Sequence, residues 1–172
     1  MAINPKYLVL DNPTRYFIVT GGRGSGKSFS INTLLCLLMT EADHVILFTR
    51  YTLRAASISI IPEFVEKIEY LGLVGQFRIT KDEIIHLGSG SKILFRGIKT
   101  SSGNQVASLK SLQGVTTWVM DEAEELMDED IFDKIDLSVR QQDKRNRVML
   151  ILNPTTKEHW IYNRFFEDKG VQ

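Results

Sequence analysis

The stretch TGGRGSGKSFS, Thr20 to Ser30, sets four glycines, an arginine and a lysine between two apolar runs. Glycine loses more freedom on folding than any other residue, so such a cluster implies that something must approach the backbone closely. Gly21, four residues and then Gly26-Lys27-Ser28 fit the phosphate-loop pattern G-x-x-x-x-G-K-[ST]. The setting is the required one, with the strand-like YFIVT before it and a helical pattern after it. Glycines let successive N–H groups turn inward as an anion nest, and a helix N-terminus adds its partial positive charge. Gly21, Gly22, Arg23, Gly24, Ser25, Gly26, Lys27 and Ser28 are therefore the expected nucleotide-binding residues. Lys27 is the point charge for the β- and γ-phosphates of ATP, and Ser28 is the hydroxyl for Mg²⁺. A flexible glycine turn with a solvated lysine would need no strand and helix at its two ends.

The periodicities on either side place this loop in an alternating order. YFIVT reads as a short buried strand and KSFSINTLLCLLMTEA as a helix that is apolar on most sides. HVILFTR is a second buried strand. AASISIIPEFVEKIEYLG is helical, interrupted at Pro62 and stopped at Gly72. FRITKDEIIHLGSGSKILFRGI alternates around a Gly-Ser-Gly turn and reads as an antiparallel hairpin. TTWVMDE and RVMLILNP are further buried strands, DEDIFDKIDLSVRQQ an amphipathic helix and KEHWIYNRFFEDK a closing helix. Strands alternating with helices predict an α/β fold, here a P-loop NTPase. Its mostly parallel sheet is covered by helices on both faces, with the hairpin inserted at its edge. Without repeats or linker-like tracts, residues 1–172 read as a single domain.

Composition narrows the partners. Lys and Arg total 21 and balance 21 Asp and Glu, so nothing resembles a nucleic-acid coat spread over the whole surface. Cys36, the only cysteine, sits in INTLLCLLMT and reads as a small buried hydrophobe in a reducing compartment rather than as a catalytic thiol. The start MAINPKYLVLDNP lacks the basic head and apolar core of a signal peptide, and no apolar run reaches membrane-spanning length. The expectation is a soluble, intracellular protein.

A phosphate loop needs a carboxylate at the end of another buried strand. TTWVMDE supplies Asp121 for the metal and Glu122 as general base for water, at the sheet edge where ligands of such folds bind. The rest of DEAEELMDED, including Glu124, Glu125, Asp128, Glu129 and Asp130, reads as the acidic start of a helix. An adjacent base suits a hydrolase that polarises water better than a kinase. Asn153, ending VMLIL, can touch the attacking water and the γ-phosphate; equally, it can be a turn former before Pro154. Arg23 is a candidate finger supplied in cis, against the alternative of a solvated loop side chain. His44, His86 and His159 show no metal-ligand spacing and read as surface or strand-edge residues. Trp160, Tyr162, Phe165 and Phe166 fall on a helical spacing and read as core or docking surface.

YFIVTGGRGSGKSFSI, SLKSLQGVTTWVMDEAEEL and LILNPTTKEHWIYNRFF, in this order, resemble the ATPase part of the large terminase subunit of tailed double-stranded DNA bacteriophages. The specific elements are Lys110-Ser111, the Trp118 strand leading into Asp121-Glu122-Ala123, and NPTTKEHW. The resemblance implies a motor that hydrolyses ATP with Mg²⁺ to drive viral DNA into a procapsid. Gly21 to Ser28 would bind phosphates and metal, with Arg23 as the loop's arginine. Asp121 and Glu122 would be the metal and catalytic carboxylates, and Asn153 to Thr155 the segment coupling hydrolysis to motion. Arg50 falls where the family places an arginine after its second strand. The implied partners are double-stranded DNA, a portal protein, a small terminase subunit and a nuclease domain or chain. The implied assembly is a ring, with a monomer in isolation, in the cytoplasm of the infected bacterial host.

Full large terminases continue into a nuclease domain. This chain stops soon after the closing helix, and its acidic stretch is contiguous rather than gathered from separate strands, so nuclease activity is not expected. The rival readings are a helicase or recombination ATPase and a nucleotide-dependent switch module. The first usually brings a second motor domain or a DNA-binding loop. The second would lack a glutamate directly after the metal aspartate.

Overall fold

The computed structural model describes residues 5–100, 103–154 and 156–167. Its centre is a sheet in which β1 (Tyr16–Thr20), β8 (Arg147–Leu152), β7 (Thr117–Asp121), β2 (Val45–Thr52) and β5 (Lys92–Thr100) lie side by side and parallel. β4 (Glu83–His86) and β3 (Phe77–Ile79) extend it antiparallel beyond β5. The short β6 (Gly103–Asn104) also pairs with β5. The expected hairpin lies at that edge and turns at Gly90, whose N–H bonds the His86 carbonyl at φ +75°. Its return strand is more than an insertion, because β5 pairs with β2 in parallel and belongs to the sheet proper.

Alternation along the buried strands sends side chains to opposite faces. Phe48, Val119, Met149 and Ile151 join a core with α1 (Lys27–Leu38), α3 (Ile61–Tyr70) and the 3₁₀ turn Pro5–Asp11. Leu47, Trp118, Met120 and Leu150 join the opposite core with α5 (Glu129–Asp136) and α6 (Trp160–Tyr162). Phe48, Phe64 and Phe95 meet in edge-to-face and tilted pairs in the first, with centroids 5.3–5.6 Å apart. Phe132 packs against Trp118, Trp160 and Phe165 in the second. Truncating either Phe64 or Phe132 to alanine would cost about 3–5 kcal/mol. Cys36 is fully buried, and burial pushes its thiol up to about 12, as befits a core side chain.

Several element ends differ from the periodicity. α1 stops at Leu38 instead of running to Ala42, and the Thr40 hydroxyl and N–H both bond the Leu37 carbonyl to close the turn. Pro62 sits in the first turn of α3, where its missing N–H costs nothing, and a separate short α2 (Ala56–Ser59) precedes it. Gly72, at φ +70°, follows the end of α3. α5 ends at Asp136, where Leu137 and Ser138 turn back onto Asp133 and Ile135. The closing helix is one α turn, α6, followed by the π turn Asn163–Glu167. α4 (Val106–Lys110) has no counterpart among the predicted elements. No described helix is long and apolar enough to cross a membrane.

Candidate nucleotide-binding site

Parallel pairing brings the carboxyl ends of β1, β8 and β7 to one edge, with Thr20 opposite Leu152 and Asp121 opposite Ile151. The loop leaves β1 here and re-enters the fold as α1, and a cavity of about 660 Å³ opens between loop and strand ends. Arg23 to Ser28 line its loop side; Arg50, Asp121, Glu122 and Asn153 line the other. Gly21 and Gly22 are not among the lining residues, and their carbonyls hold the Lys27 ammonium.

Lys27 is buried and bends back over its own loop. Its ammonium donates to the Gly21 carbonyl, to the Gly22 carbonyl at 3.0 Å and to Ser25 Oγ at 3.4 Å. Gly24 and Gly26 take φ of +74° and +80°, a region that costs other residues about 1–2 kcal/mol. A Cβ on Gly21 would stand 2.9 Å from Ser25 Oγ. Gly26 is the N-cap of α1 and brings no side-chain cap, so the first N–H groups of that helix face the cavity side without a side-chain acceptor. Tyr7, from the N-terminal 3₁₀ turn, braces the loop by donating to the Ser25 carbonyl at 3.3 Å. Nothing local in the sequence links a tyrosine eighteen residues upstream to the loop.

The opposite wall carries the charge. Asp121 ends β7 with a nearly buried side chain, and Arg50 reaches it from β2 with Nε at 2.8 Å and a terminal nitrogen at 2.7 Å. Both contacts go to Oδ2. Burial works against the Arg50 charge, but Asp121 outweighs it, with help from Glu122 and Glu63, and the guanidinium is held above its ordinary range. Burial raises the Glu63 carboxyl at the same edge, and Asp121 adds to the rise. Glu122 follows in the left-handed region, at φ +53° and ψ +44°. That backbone conformation costs a non-glycine residue on the order of 1 kcal/mol or more and is frequent at functional positions. It turns the half-exposed Glu122 side chain to within 3.9 Å of Arg50 Nε.

Asn153 follows β8, and its amide nitrogen donates to Glu124 Oε1 at 2.8 Å. Glu124 therefore does not act as part of an acidic helix start. It belongs to a separate 3₁₀ turn, Ala123–Glu125, while Asp128 caps α5 by accepting from the Asp130 N–H at 2.9 Å. Thr155 lies outside the described residues. His159 is buried rather than at the surface: its Nδ1 accepts from the Ile161 N–H, so Nε2 is left to donate to the Glu124 carbonyl at 3.0 Å. His86 is likewise buried, between Ser89 and Gln76, and His44 is half-buried just before β2.

The loop suits a nucleotide's phosphates. Loop carbonyls hold the ammonium that phosphate oxygens would take, and an uncapped helix start stands ready for the same oxygens. Ser28 and Asp121 line one cavity, and a single hydroxyl and carboxylate, with phosphate oxygens and water, make up the hard-oxygen set that Mg²⁺ takes. No group of three acidic, histidine or cysteine side chains gathers as a metal cluster among the described residues.

The sequence profile of the phage terminase large subunit matches residues 13–172. Among solved structures, the large terminase from a thermophilic bacteriophage is similar with a TM-score of 0.76 at 15% identity, over 97% of this chain and 43% of that one. The large terminase from the same phage in complex with ADP gives 0.68 at 14% identity, over 90% and 38%. The bacteriophage Phi-29 viral genome packaging motor assembly gives 0.66 at 17% identity, over 95% and 50%. A putative ribose/galactose/methyl galactoside import ATP-binding protein of Pseudomonas syringae pv. syringae is 30% identical over 90 residues, 52% of this chain and 16% of that protein. The chain thus spans half or less of the length of each of these relatives. At such identities the structural likeness speaks for the fold. The profile match covers nearly the whole chain and speaks for descent: the chain belongs to the phage terminase large subunit family.

Proposed function

We propose that this chain is the ATPase motor part of a large terminase, hydrolysing ATP with Mg²⁺ to drive double-stranded viral DNA into a procapsid. The observation that carries the reading is the cavity that joins the lysine-bearing loop to the Asp121-Glu122 strand end. In this reading Lys27 and the loop N–H groups hold the phosphates. Ser28 and Asp121 hold Mg²⁺, which supplies charge neutralisation at the phosphate oxygens. Glu122 takes the proton of the attacking water, and Asn153 orients that water against the γ-phosphate. Arg23, exposed on the loop and lining the cavity, neutralises charge that spreads over the phosphate oxygens in the transition state.

Family membership and the likeness to a packaging motor assembly support a ring that works with a portal protein, a small terminase subunit and a nuclease domain or chain, in the cytoplasm of the infected host. A balanced net charge gives no broad field for phosphate contacts, so a lone chain binds DNA weakly.

The test is ATP turnover with and without double-stranded DNA, alongside Lys27→Ala. Removing the phosphate-side ammonium lowers turnover by about a hundredfold or more. Unchanged nucleotide affinity and turnover in that variant would sink the proposal.

A further inference from the structure

The turn after β7 and the segment after β8 are stitched together by three side-chain bonds. Asn153 Nδ2 donates to Glu124 Oε1 at 2.8 Å, His159 Nε2 to the Glu124 carbonyl at 3.0 Å, and Trp160 Nε1 to the Leu126 carbonyl at 2.6 Å. Glu124 takes part in two of the three. Its second oxygen, Oε2, is buried and accepts from no described residue. Among the described residues the carboxylate thus receives only from Asn153, and a bond to an ionised acceptor is roughly twice as strong as a neutral one. A carboxylate left half-satisfied in a buried position is costly, so as a mere clip between two loops it would be a poor choice.

We propose that Glu124 is a positioning residue that sets the orientation of the Asn153 amide, a reading that rests on Asn153 facing the attacking water. The chemistry is one of polarity. An asparagine amide has a donor end and an acceptor end, and a carboxylate can receive only from the donor end. With Nδ2 committed to Glu124, Oδ1 is the end of the amide left for the cavity that Asn153 lines. An acceptor there receives a hydrogen bond from the water whose other proton goes to Glu122, so both O–H groups of that water have acceptors and an oxygen lone pair is directed at the phosphorus. The flipped amide would offer two N–H donors instead, occupy the water's lone pair and aim its protons the wrong way. Glu124 therefore contributes to the rate without touching water or nucleotide. Because its main chain also carries His159, any shift of the segment after β8 pulls on the same residue.

The experiment compares the full chain with Glu124→Gln, Asn153→Ala, Asn153→Asp and the exchanged pair Glu124→Gln/Asn153→Asp. It measures turnover at saturating ATP, affinity for ADP with Mg²⁺, and thermal unfolding. A glutamine accepts either end of the amide, so Glu124→Gln loses the orientation while keeping the shape. Its kcat falls about tenfold or more while ADP affinity stays within about twofold, as misplacement of a reacting group does. Asn153→Asp sets two carboxylates against each other and is also slow. In the exchanged pair the amide donates from position 124 and an acceptor oxygen again faces the cavity, so kcat recovers most of the loss. A folded Glu124→Gln that hydrolyses like the parent while Asn153→Ala is slow overturns the orientation proposal alone. An exchanged pair as slow as Asn153→Asp overturns it as well, whatever the folding of Glu124→Gln. If Asn153→Ala itself turns over like the parent, the underlying role of Asn153 falls first.

Discussion

Around one cavity, the two walls are held by different means. Lys27 bonds to Gly21, Gly22 and Ser25, between two and six residues away, so the loop holds its own lysine, with Tyr7 alone among the described side chains outside it donating to the loop backbone. Asp121 is held by Arg50 from 71 residues away, and Glu124 by Asn153 from 29 residues away. The loop can therefore exchange its internal bonds for phosphate oxygens without disturbing the sheet. The carboxylate wall cannot change without moving side chains that belong to other strands. A nucleotide that spans the cavity joins a wall that yields to one that is braced, and charge placed by the braced wall stays where the reaction needs it.

The largest expected effect tests the yielding wall. Arg23 is exposed in a loop that is ordered mainly by its own contacts, so its guanidinium can follow the ligand. Arg23→Ala binds ATP with modest loss but lowers turnover by about a thousandfold or more, whereas loss of a solvated loop arginine would change it scarcely at all. Arg23→Lys recovers only part of the loss, because it keeps the charge without the planar fork. Where a neighbouring subunit supplies the decisive arginine, the lone chain is slow from the start, and the comparison belongs in an assembled packaging reaction. Normal packaging by Arg23→Ala would show that the loop arginine has no part in hydrolysis.

Next in size is the braced wall. Glu122→Gln preserves the shape of a residue whose backbone already sits in a strained conformation, and removes only the base. Turnover falls about a hundredfold while ATP still binds, in line with the contribution of a positioned general base. Loss of ATP binding together with turnover would mean that Glu122 holds the wall together instead of acting on water.

The same contrast explains what can be read from the chain. The loop is legible because its partners are local: glycines, Lys27 and Ser28 stand at fixed offsets, and the strand and helix adjoin them. Buried strands are legible as continuous apolar runs, since both of their faces are covered. The pairing of β5 with β2, the placing of Tyr7 under Ser25 and the burial of His159 are contacts across the fold, and no window of sequence contains both partners. Glu124 is hidden for a related reason. Its acidic neighbours Asp128, Glu129 and Asp130 do serve the start of α5, and only the approach of β8 reveals that Glu124 faces elsewhere. Helix ends differ from the pattern where the chain leaves a helix through a turn while the apolar periodicity runs on, as after Leu38 and Asp136.

The smallest expected effect concerns the bond that keeps the carboxylate wall braced before nucleotide arrives. Arg50 places two nitrogens on Oδ2 of Asp121, the residue proposed to serve Mg²⁺, and leaves Oδ1 free of it. Metal must then compete with a guanidinium for the charge of one carboxylate. A partly screened pair of this kind contributes about 1 kcal/mol, or about fivefold in an affinity. Arg50→Ala therefore lowers the Mg²⁺ concentration needed for half-maximal ADP binding by about fivefold. It also lowers the unfolding temperature of the nucleotide-free chain, because a nearly buried carboxylate loses its counter-charge. Metal affinity thus rises while nucleotide-free stability falls, with ADP and Mg²⁺ restoring more stability to the variant than they add to the parent. Arg50→Lys lies between, since one ammonium cannot reproduce a two-nitrogen contact. An unchanged Mg²⁺ requirement in Arg50→Ala would mean that the arginine and the metal do not share Asp121, and that the wall is braced for stability alone.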